Sequence, residues 1–243
     1  MKVKNLINKI KHFVFSLKWT CNICGKEIFN NEYYCDECKS KLKPITSTKC
    51  DHCGRLTSTP TLYCESCTAI NQNIDTARSV YAYNETIAKI IYNFKYSSKT
   101  YIKDIFAEEL SRVYLNNFFV SDYLTYIPMT KERLNDRGYN QSKLMADKLS
   151  EILSVPSIEL VEKVYETERQ ATLTANERKD NLKGSFKGKN IDLKGKTVTV
   201  IDDVLTTGVT MDLVAKQLKK MGASKVYALT VASVGKKIDD ING

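Results

Sequence analysis

Two adjacent acids and a threonine-rich turn stand together in the last third of the chain. Asp202 and Asp203 end an apolar, β-branched stretch over 197–202 that predicts a buried parallel strand. Adjacent carboxylates at the end of such a strand are costly without a partner, and they suit the two hydroxyls of a ribose ring. Because ligands bind at the carboxyl edge of open α/β sheets, we expect a ligand site here.

The segment after these acids has the composition of a phosphate-binding loop. A glycine allows close approach of the backbone, and a helix predicted over 210–221 offers free N–H groups and the positive end of its dipole. Threonine hydroxyls add further donors. The predicted sugar-phosphate site consists of Asp202, Asp203, Thr206, Thr207, Gly208, Val209 and Thr210.

Eight cysteines form a second set of chemically competent side chains, in four Cys-x-x-Cys pairs. The second four repeat the first at a displacement of 29 positions, which indicates a tandem duplication. Four thiolates per ion suit closed, structural zinc sites, and an iron–sulfur cluster is the rival interpretation. The predicted ligands are Cys21, Cys24, Cys35 and Cys38, then Cys50, Cys53, Cys64 and Cys67.

The pairing of these knuckles is open on spacing alone. Sequential sites are favoured because each repeat can then fold by itself, but a crossed arrangement uses the same spacings. His52 lies inside a knuckle and is interpreted as a bystander, since Cys50 and Cys53 on either side of it are both available as ligands.

Alternating strand and helix patterns from residue 78 onward predict the elements that position these groups. Strands are predicted over 79–83, 123–127, 197–202 and 226–231, and helices over 85–96, 101–118, 138–153 and 210–221. The expected fold is α/β, a mostly parallel sheet with helices on both faces, preceded by a small N-terminal zinc-binding module. Residues 166–196 are predicted to form a mobile loop with a short helix near 175–181.

The chain therefore divides into three predicted parts. Residues 1–19 form a basic amphipathic helix, 20–70 a tandem four-cysteine zinc module, and 71–243 the α/β domain. The apolar stripe of the helix, within 3–17, is expected to pack on the protein's own surface or on a partner. The alternative is that it lies on an anionic membrane surface.

Composition narrows the class of protein. Apolar content of 42% and charged content of 27% are ordinary for a globular protein, and no run of about 18 apolar residues predicts a membrane span. The basic start lacks a signal-peptide core, so we expect a cytoplasmic location, with a peripheral position at the inner face of the membrane as a variant. Two four-thiolate zinc sites, each with a net charge of −2, reduce the formal +9 to 9 − 4 = +5, which permits nucleic-acid contact without demanding it.

The stretch from Val198 to Thr210 closely resembles the signature of type I phosphoribosyltransferases. That resemblance implies that Asp202 and Asp203 hold the ribose hydroxyls, that Thr206–Thr210 surround the 5′-phosphate, and that a magnesium ion binds the pyrophosphate of phosphoribosyl diphosphate. Further blocks, in order, resemble the ComF family. They are Phe94–Tyr96, Ile127–Arg133, Arg137–Gln141, Arg169–Gln170 and Arg178–Phe186, together with the cysteine knuckles.

Membership of this family implies a protein of natural transformation that handles incoming single-stranded DNA. The implied partners are that DNA, phosphoribosyl diphosphate, and a competence helicase or other membrane-associated DNA-uptake machinery. Tyr33, Tyr34 and Tyr63 could stack bases, although packing within the knuckles is the favoured interpretation of their role.

Basic residues near the predicted ligand edge are candidates for the pyrophosphate. Lys131 and Arg133 follow a sheet strand, and their alternative role is simply to begin a helix. Arg137, Asn140 and Gln141 either bind ligand or brace the loop. Arg169, Arg178 and Lys179 lie in the predicted long loop, which could close over a reacting centre.

The alternative function is that of a phosphoribosyltransferase acting on a nucleobase or an amine, similar to amidophosphoribosyltransferases. Both histidines, His12 and His52, lie outside the α/β domain, and all eight cysteines are assigned to knuckles. No cysteine therefore remains for a glutaminase. Plain phosphoribosyl transfer stays open because it needs positioning and charge stabilisation, and no covalent nucleophile.

Overall fold

The computed structural model describes six parts of the chain, namely residues 20–28, 32–46, 48–65, 67, 73–165 and 184–235. The predicted N-terminal helix, the short helix near 175–181, and Arg169, Arg178 and Lys179 lie outside the described residues. In the described part, no helix combines the length and apolar character needed to span a bilayer.

A four-stranded parallel sheet forms the centre of the α/β domain. Its strands are β1 (Thr76–Ala82), β2 (Tyr123–Tyr126), β5 (Thr197–Leu205) and β6 (Lys225–Ser233), in the order β1-β6-β5-β2. The two central strands are mostly buried, and most of their residues are apolar or β-branched. Strand β5, which carries both aspartates, is thus held between neighbours on both sides.

Helices cover both faces of this sheet and create two apolar cores. One core contains the long helices α2 (Glu85–Tyr96), α3 (Ile102–Asn116) and α5 (Gln141–Leu153). The other contains α6 (Val209–Lys220) and an antiparallel hairpin of β3 (Val161–Lys163) and β4 (Phe186–Gly188). The predicted fold class, a mostly parallel sheet with helices on both faces behind a zinc module, is confirmed.

The two cysteine repeats pack against the same sheet from different sides. A short helix, α1 (Asp36–Lys41), belongs to the first repeat, whose cysteines join the core of α2, α3 and α5. The buried cysteines of the second repeat, Cys50, Cys53 and Cys67, join the core of α6 instead. The duplication therefore produced two units that stabilise opposite faces of one domain.

Three differences from the predicted elements have clear physical reasons. Strand β5 continues past the acids to Leu205, because β6 still pairs with it there. A helix that is not among the predicted ones, α4 (Lys131–Arg137), begins at Lys131, which is the alternative role given above for Lys131 and Arg133. Thr130 caps it by accepting from Arg133 N–H. The prediction of a loop through 166–196 was wrong at its end, where β4 forms and Leu193 is buried.

Candidate functional site

The two aspartates of β5 meet very different surroundings. Asp203 is buried, and the Lys95 ammonium lies 2.8 Å from Oδ1 and 2.7 Å from Oδ2. Gln141 Nε2 donates to Oδ2 of the same carboxylate at 2.8 Å. Asp202 accepts a 2.7 Å hydrogen bond from Ser142 Oγ, and it forms no ion pair with any described residue. One lysine therefore serves two neighbouring acids.

Because one lysine must offset two carboxylates, the pKa of Asp202 is raised. Burial first, and the Asp203 carboxylate second, raise the pKa of Asp202 from 3.8 to about 7. The Ser142 hydroxyl and the Lys95 charge oppose that rise but do not cancel it. A ligand that brings hydroxyl donors or a cation to Asp202 would relieve the repulsion, so the arrangement favours a polyhydroxylated or metal-bearing ligand.

Asp202→Asn is expected to stabilise the ligand-free protein, and only at the higher pH values. Because the folded-state pKa is raised, the native Asp202 carboxyl costs nothing below about pH 4 and its full penalty above about pH 7. The neutral, isosteric amide removes that penalty. We expect a gain of about 1–2 kcal/mol at pH 8, less than the full pKa shift implies because the side chain is partly exposed. Urea unfolding at pH 4 and pH 8 measures it.

The exposed Asp192→Asn serves as the control, because its side chain lies outside the pair and, among the described residues, accepts from Lys194 N–H. Its effect should be small and independent of pH. An equal effect of Asp202→Asn at both pH values would contradict the assigned origin of the pKa shift.

The loop Thr206–Thr210 leads directly from β5 into α6. Gly208 has φ of 94°, a left-handed conformation that favours glycine, and as the N-cap of α6 it offers no capping side chain. Thr207 Oγ1 accepts from Val209 N–H at 3.4 Å. The first turn of α6 therefore keeps backbone N–H groups that have no helical partner, which is the property of an anion site at a helix start.

An arginine from the second cysteine repeat holds this loop from behind. Arg55 is 3% exposed, and its Nη2 donates to the Thr206 carbonyl at 2.5 Å. Its Nε is buried and has no partner within the described residues. Arg55 is two positions after the predicted zinc ligand Cys53. Its hydrogen bond to Thr206 therefore links the zinc module to the loop. Sequence patterns gave no signal for this contact, which spans 151 positions.

A cavity of about 380 Å³ lies next to Lys95, and neither aspartate is among its lining residues. Lys95 lies at its wall and connects it to Asp203. Arg133 and Arg137 also line it, whereas Lys131 is exposed and is not among its lining residues. The remaining lining residues are Tyr96, Ser98, Asp136 and Tyr139.

The block over 137–141 braces the acids from the start of α5. Arg137 Nη1 donates to Gln141 Oε1 at 2.6 Å, which orients the amide toward Asp203. Asn140 caps α5 by accepting from two backbone N–H groups, and its Nδ2 donates to Ile127 O at 3.0 Å. Of the two roles left open for this block, the structure favours bracing.

Sequence reasoning missed two residues of this site. Lys95 belongs to a block that resembles the ComF family, but the resemblance assigns it no role. Ser142 lies outside the blocks that carry the resemblance. Lys95 and Asp203 lie 108 positions apart, on α2 and β5, so only the fold reveals their pairing. The position of Ser142 in the first turn of α5, next to Gln141, could have indicated that it faces the same edge.

The eight cysteines gather into two groups of four, each with all sulfurs within 4.8 Å of one another. The groups are the sequential ones, 21/24/35/38 and 50/53/64/67, so that pairing is confirmed over the crossed one. All eight are free thiols, and Sγ–Sγ separations of 3.5–3.7 Å are close to the edge of a tetrahedron with about 2.3 Å metal–sulfur bonds. Both groups fit zinc.

His52 is not one of the four ligands of the second group. Its Nδ1 lies 3.3 Å from Cys67 Sγ, and its Nε2 donates to Ile74 O at 2.8 Å. The His52 ring therefore contacts the ligand Cys67 without being a ligand itself, and it joins the knuckle to the segment that leads into β1.

The tyrosines of the repeats differ in their availability. Tyr34 is buried, and Tyr33 donates to Glu108 at 2.8 Å, so both pack the first repeat against the α/β domain. Tyr63 remains 59% exposed, with its ring centroid 5.0 Å from that of His52. The structure thus favours the packing interpretation for two of the three.

Comparison with known proteins agrees with this architecture. Residues 140–243 match the family described as phosphoribosyl transferase domain, and residues 12–68 match the double zinc ribbon domain. A purine phosphoribosyltransferase of Pyrococcus horikoshii aligns with a TM-score of 0.35 and 21% identity, over 54% of this chain and 71% of that one.

Relatives in bacteria match along most of their length. Competence protein ComFC of Bacillus subtilis is 33% identical over 83% of this chain and 84% of its own. DNA utilization protein YhgH of Escherichia coli is 29% identical over 79% of this chain and 86% of its own. With a double zinc ribbon ahead of a phosphoribosyltransferase-type sheet, the chain belongs to the ComF family of competence proteins.

Proposed function

We propose that this protein binds phosphoribosyl diphosphate together with magnesium and handles incoming single-stranded DNA during natural transformation. The observation that carries the proposal is the Asp202–Asp203 pair, one half-buried and one buried carboxylate that share a single lysine, directly before a helix whose N-cap is a glycine. A ribose and its phosphate supply what each part lacks, since hydroxyls donate to the carboxylates and the phosphate accepts from N–H groups.

Each part of the site has a role in this proposal. Asp202 and Asp203 hold the ribose hydroxyls, and Thr206–Thr210 surround the 5′-phosphate. Magnesium, held through the diphosphate, would offset the charge that this group brings to the pocket. Arg133, which lines the cavity, would contact the diphosphate as well, whereas the exposed Lys131 is the weaker candidate.

The DNA part of the proposal rests on family membership and on charge. The chain keeps a positive balance after zinc binding, and its relatives are proteins of competence and DNA utilization. Binding through phosphate contacts should weaken steeply as salt rises, because each contact releases counterions from the strand.

The second candidate is phosphoribosyl transfer to a nucleobase or an amine. The 380 Å³ cavity, which Lys95 connects to Asp203, favours it, since an acceptor could be held there. Binding and positioning would then be the main contribution of this chain's residues, because transfer of this type needs no covalent nucleophile.

Two measurements on the zinc-loaded wild-type protein test these functions. Calorimetry with phosphoribosyl diphosphate, in the presence and absence of magnesium, tests the site, and the absence of binding in both would overturn the proposal. Screening pyrophosphate release against bases, amines and single-stranded DNA tests the second candidate. Release with one acceptor class would establish an enzyme, and no release alongside tight binding would favour a binding protein.

A further inference from the structure

Two tyrosines on the outer face of α2 are unusually exposed for their size. Tyr92 and Tyr96 are 61% and 53% exposed, and their positions four apart place them side by side on the helix. Their ring centroids lie 4.9 Å apart at an angle of 45°. Exposed aromatic pairs of this kind present flat apolar faces to solvent, which suits a planar partner better than a globular one.

This aromatic pair is physically connected to the carboxylate site. The Arg137 guanidinium carbon lies 4.9 Å from the centre of the Tyr96 ring, and its Nη2 donates to the Tyr96 hydroxyl at 3.3 Å. Arg137 also orients Gln141, which binds Asp203. On the adjoining face of the same helix, Lys95 reaches that carboxylate directly. A ligand lying on the tyrosines would thus end at the mouth of the cavity.

The charge around the tyrosines is predominantly positive. Lys89 is exposed and lies three positions before Tyr92, on the same face of α2. The neighbouring cavity wall contributes Arg133 and Arg137 against the single acid Asp136, whereas the charge of Lys95 is paired with Asp203. Aromatic faces interleaved with cations form the surface that binds single-stranded nucleic acid, since bases stack and phosphates meet the cations.

We propose that Lys89, Tyr92, Tyr96 and Arg137 form a stacking track that leads single-stranded DNA to the phosphoribosyl pocket. The inference rests on the proposed function and locates its DNA surface. From Lys89 to Tyr96 the helix rises about 10 Å, which is the length of roughly three stacked nucleotides. Docking of a protein partner requires a continuous apolar patch. This track instead alternates aromatic rings and cations, so its charge and shape favour a nucleic-acid strand.

The test is fluorescence anisotropy of a labelled oligothymidylate of about 12 nucleotides with the full-length, zinc-loaded protein at low salt. Tyr92→Ala and Tyr96→Ala should each weaken binding about tenfold, and the double variant about a hundredfold, because each removes one stacking face. Tyr92→Phe and Tyr96→Phe keep the ring and should bind within about twofold of wild type. Phe118→Ala is the matched control, since Phe118 is an 89% exposed aromatic beyond the opposite end of the domain's strands.

Calorimetry with phosphoribosyl diphosphate separates this inference from the proposed function. Tyr92 does not line the cavity, so Tyr92→Ala should bind that ligand as wild type does. DNA binding by wild type that is unchanged in the double alanine variant would overturn the track alone. An absence of DNA binding by wild type would overturn the DNA part of the proposed function, and the track with it. An equal loss in Phe118→Ala would show a general effect and also overturn the track.

Discussion

The double variant Asp202→Ala, Asp203→Ala is expected to bind magnesium and phosphoribosyl diphosphate at least about a hundredfold more weakly than wild type. Each carboxylate would lose a hydrogen bond to a ribose hydroxyl, and bonds to charged groups contribute roughly 1.5–3 kcal/mol each. The loss also leaves Lys95 without the carboxylate that holds it, so the cavity wall would lose a fixed cation as well. Calorimetry of wild type and variant measures the ratio of affinities.

Controls separate loss of the site from loss of the fold. Asp122→Ala removes a carboxylate that accepts from Thr197 N–H, at the opposite end of β5, and should leave affinity unchanged. The isosteric Asp202→Asn, Asp203→Asn variant keeps the packing of the pair but lacks both charges. It should therefore also bind phosphoribosyl diphosphate more weakly than wild type. Zinc content should be the same in all of them, because the metal ligands share no residue with the pair. Equal affinities of wild type and both double variants would disprove the assigned role of the acids.

Removal of zinc is expected to have the largest effect on stability. Metal analysis should find two zinc ions per chain, one for each group of four thiols. Structural zinc contributes about 10–16 kcal/mol to the folding of small modules, so chelation should unfold the cysteine repeats before the α/β domain. Proteolysis during chelation, followed by mass spectrometry, locates the first cleavage. Iron in place of zinc, or a single ion, would contradict the assignment of two zinc sites.

Loss of the first and of the second zinc site should have different effects on the affinity for phosphoribosyl diphosphate. Cys38→Ser and Cys53→Ser are matched substitutions of buried ligands in the first and second repeat. Only the second repeat carries Arg55, which donates to the Thr206 carbonyl. We therefore expect Cys53→Ser to weaken binding of phosphoribosyl diphosphate more than Cys38→Ser does, by about tenfold for one lost charged hydrogen bond. Equal losses in the two variants would show that the arginine does not transmit the effect.

The sequence predicts the central elements of this fold well because they are locally determined. Helix α2 has the bounds predicted for it, since Asn84 caps it and an apolar stripe runs through it. The central strands are mostly buried, and most of their residues are apolar or β-branched, which is the pattern of a parallel strand. The metal ligands follow from spacing alone, because a knuckle is a local turn.

What the sequence leaves undetermined depends on contacts between distant segments. The pairing of β3 with β4 joins short polar stretches on either side of residues 164–185, and neither has a clear period of its own. Lys95 meets Asp203 across the sheet, and Arg55 meets Thr206 from another module. Such contacts have no signature in spacing, so the charge of the ligand site could be predicted only in part.

The buried guanidinium of Arg55 would make metal retention and ligand occupancy two sides of one equilibrium if the loop binds a phosphate as proposed. Coupling free energies are reciprocal, so whatever factor the second zinc ion contributes to phosphate affinity, a bound phosphate returns to zinc affinity. A cell rich in phosphoribosyl diphosphate would then keep this protein metallated at lower free zinc, and a starved cell would let the second repeat open first. The ribbon would in that case register the supply of phosphoribosyl diphosphate as well as hold the domain together.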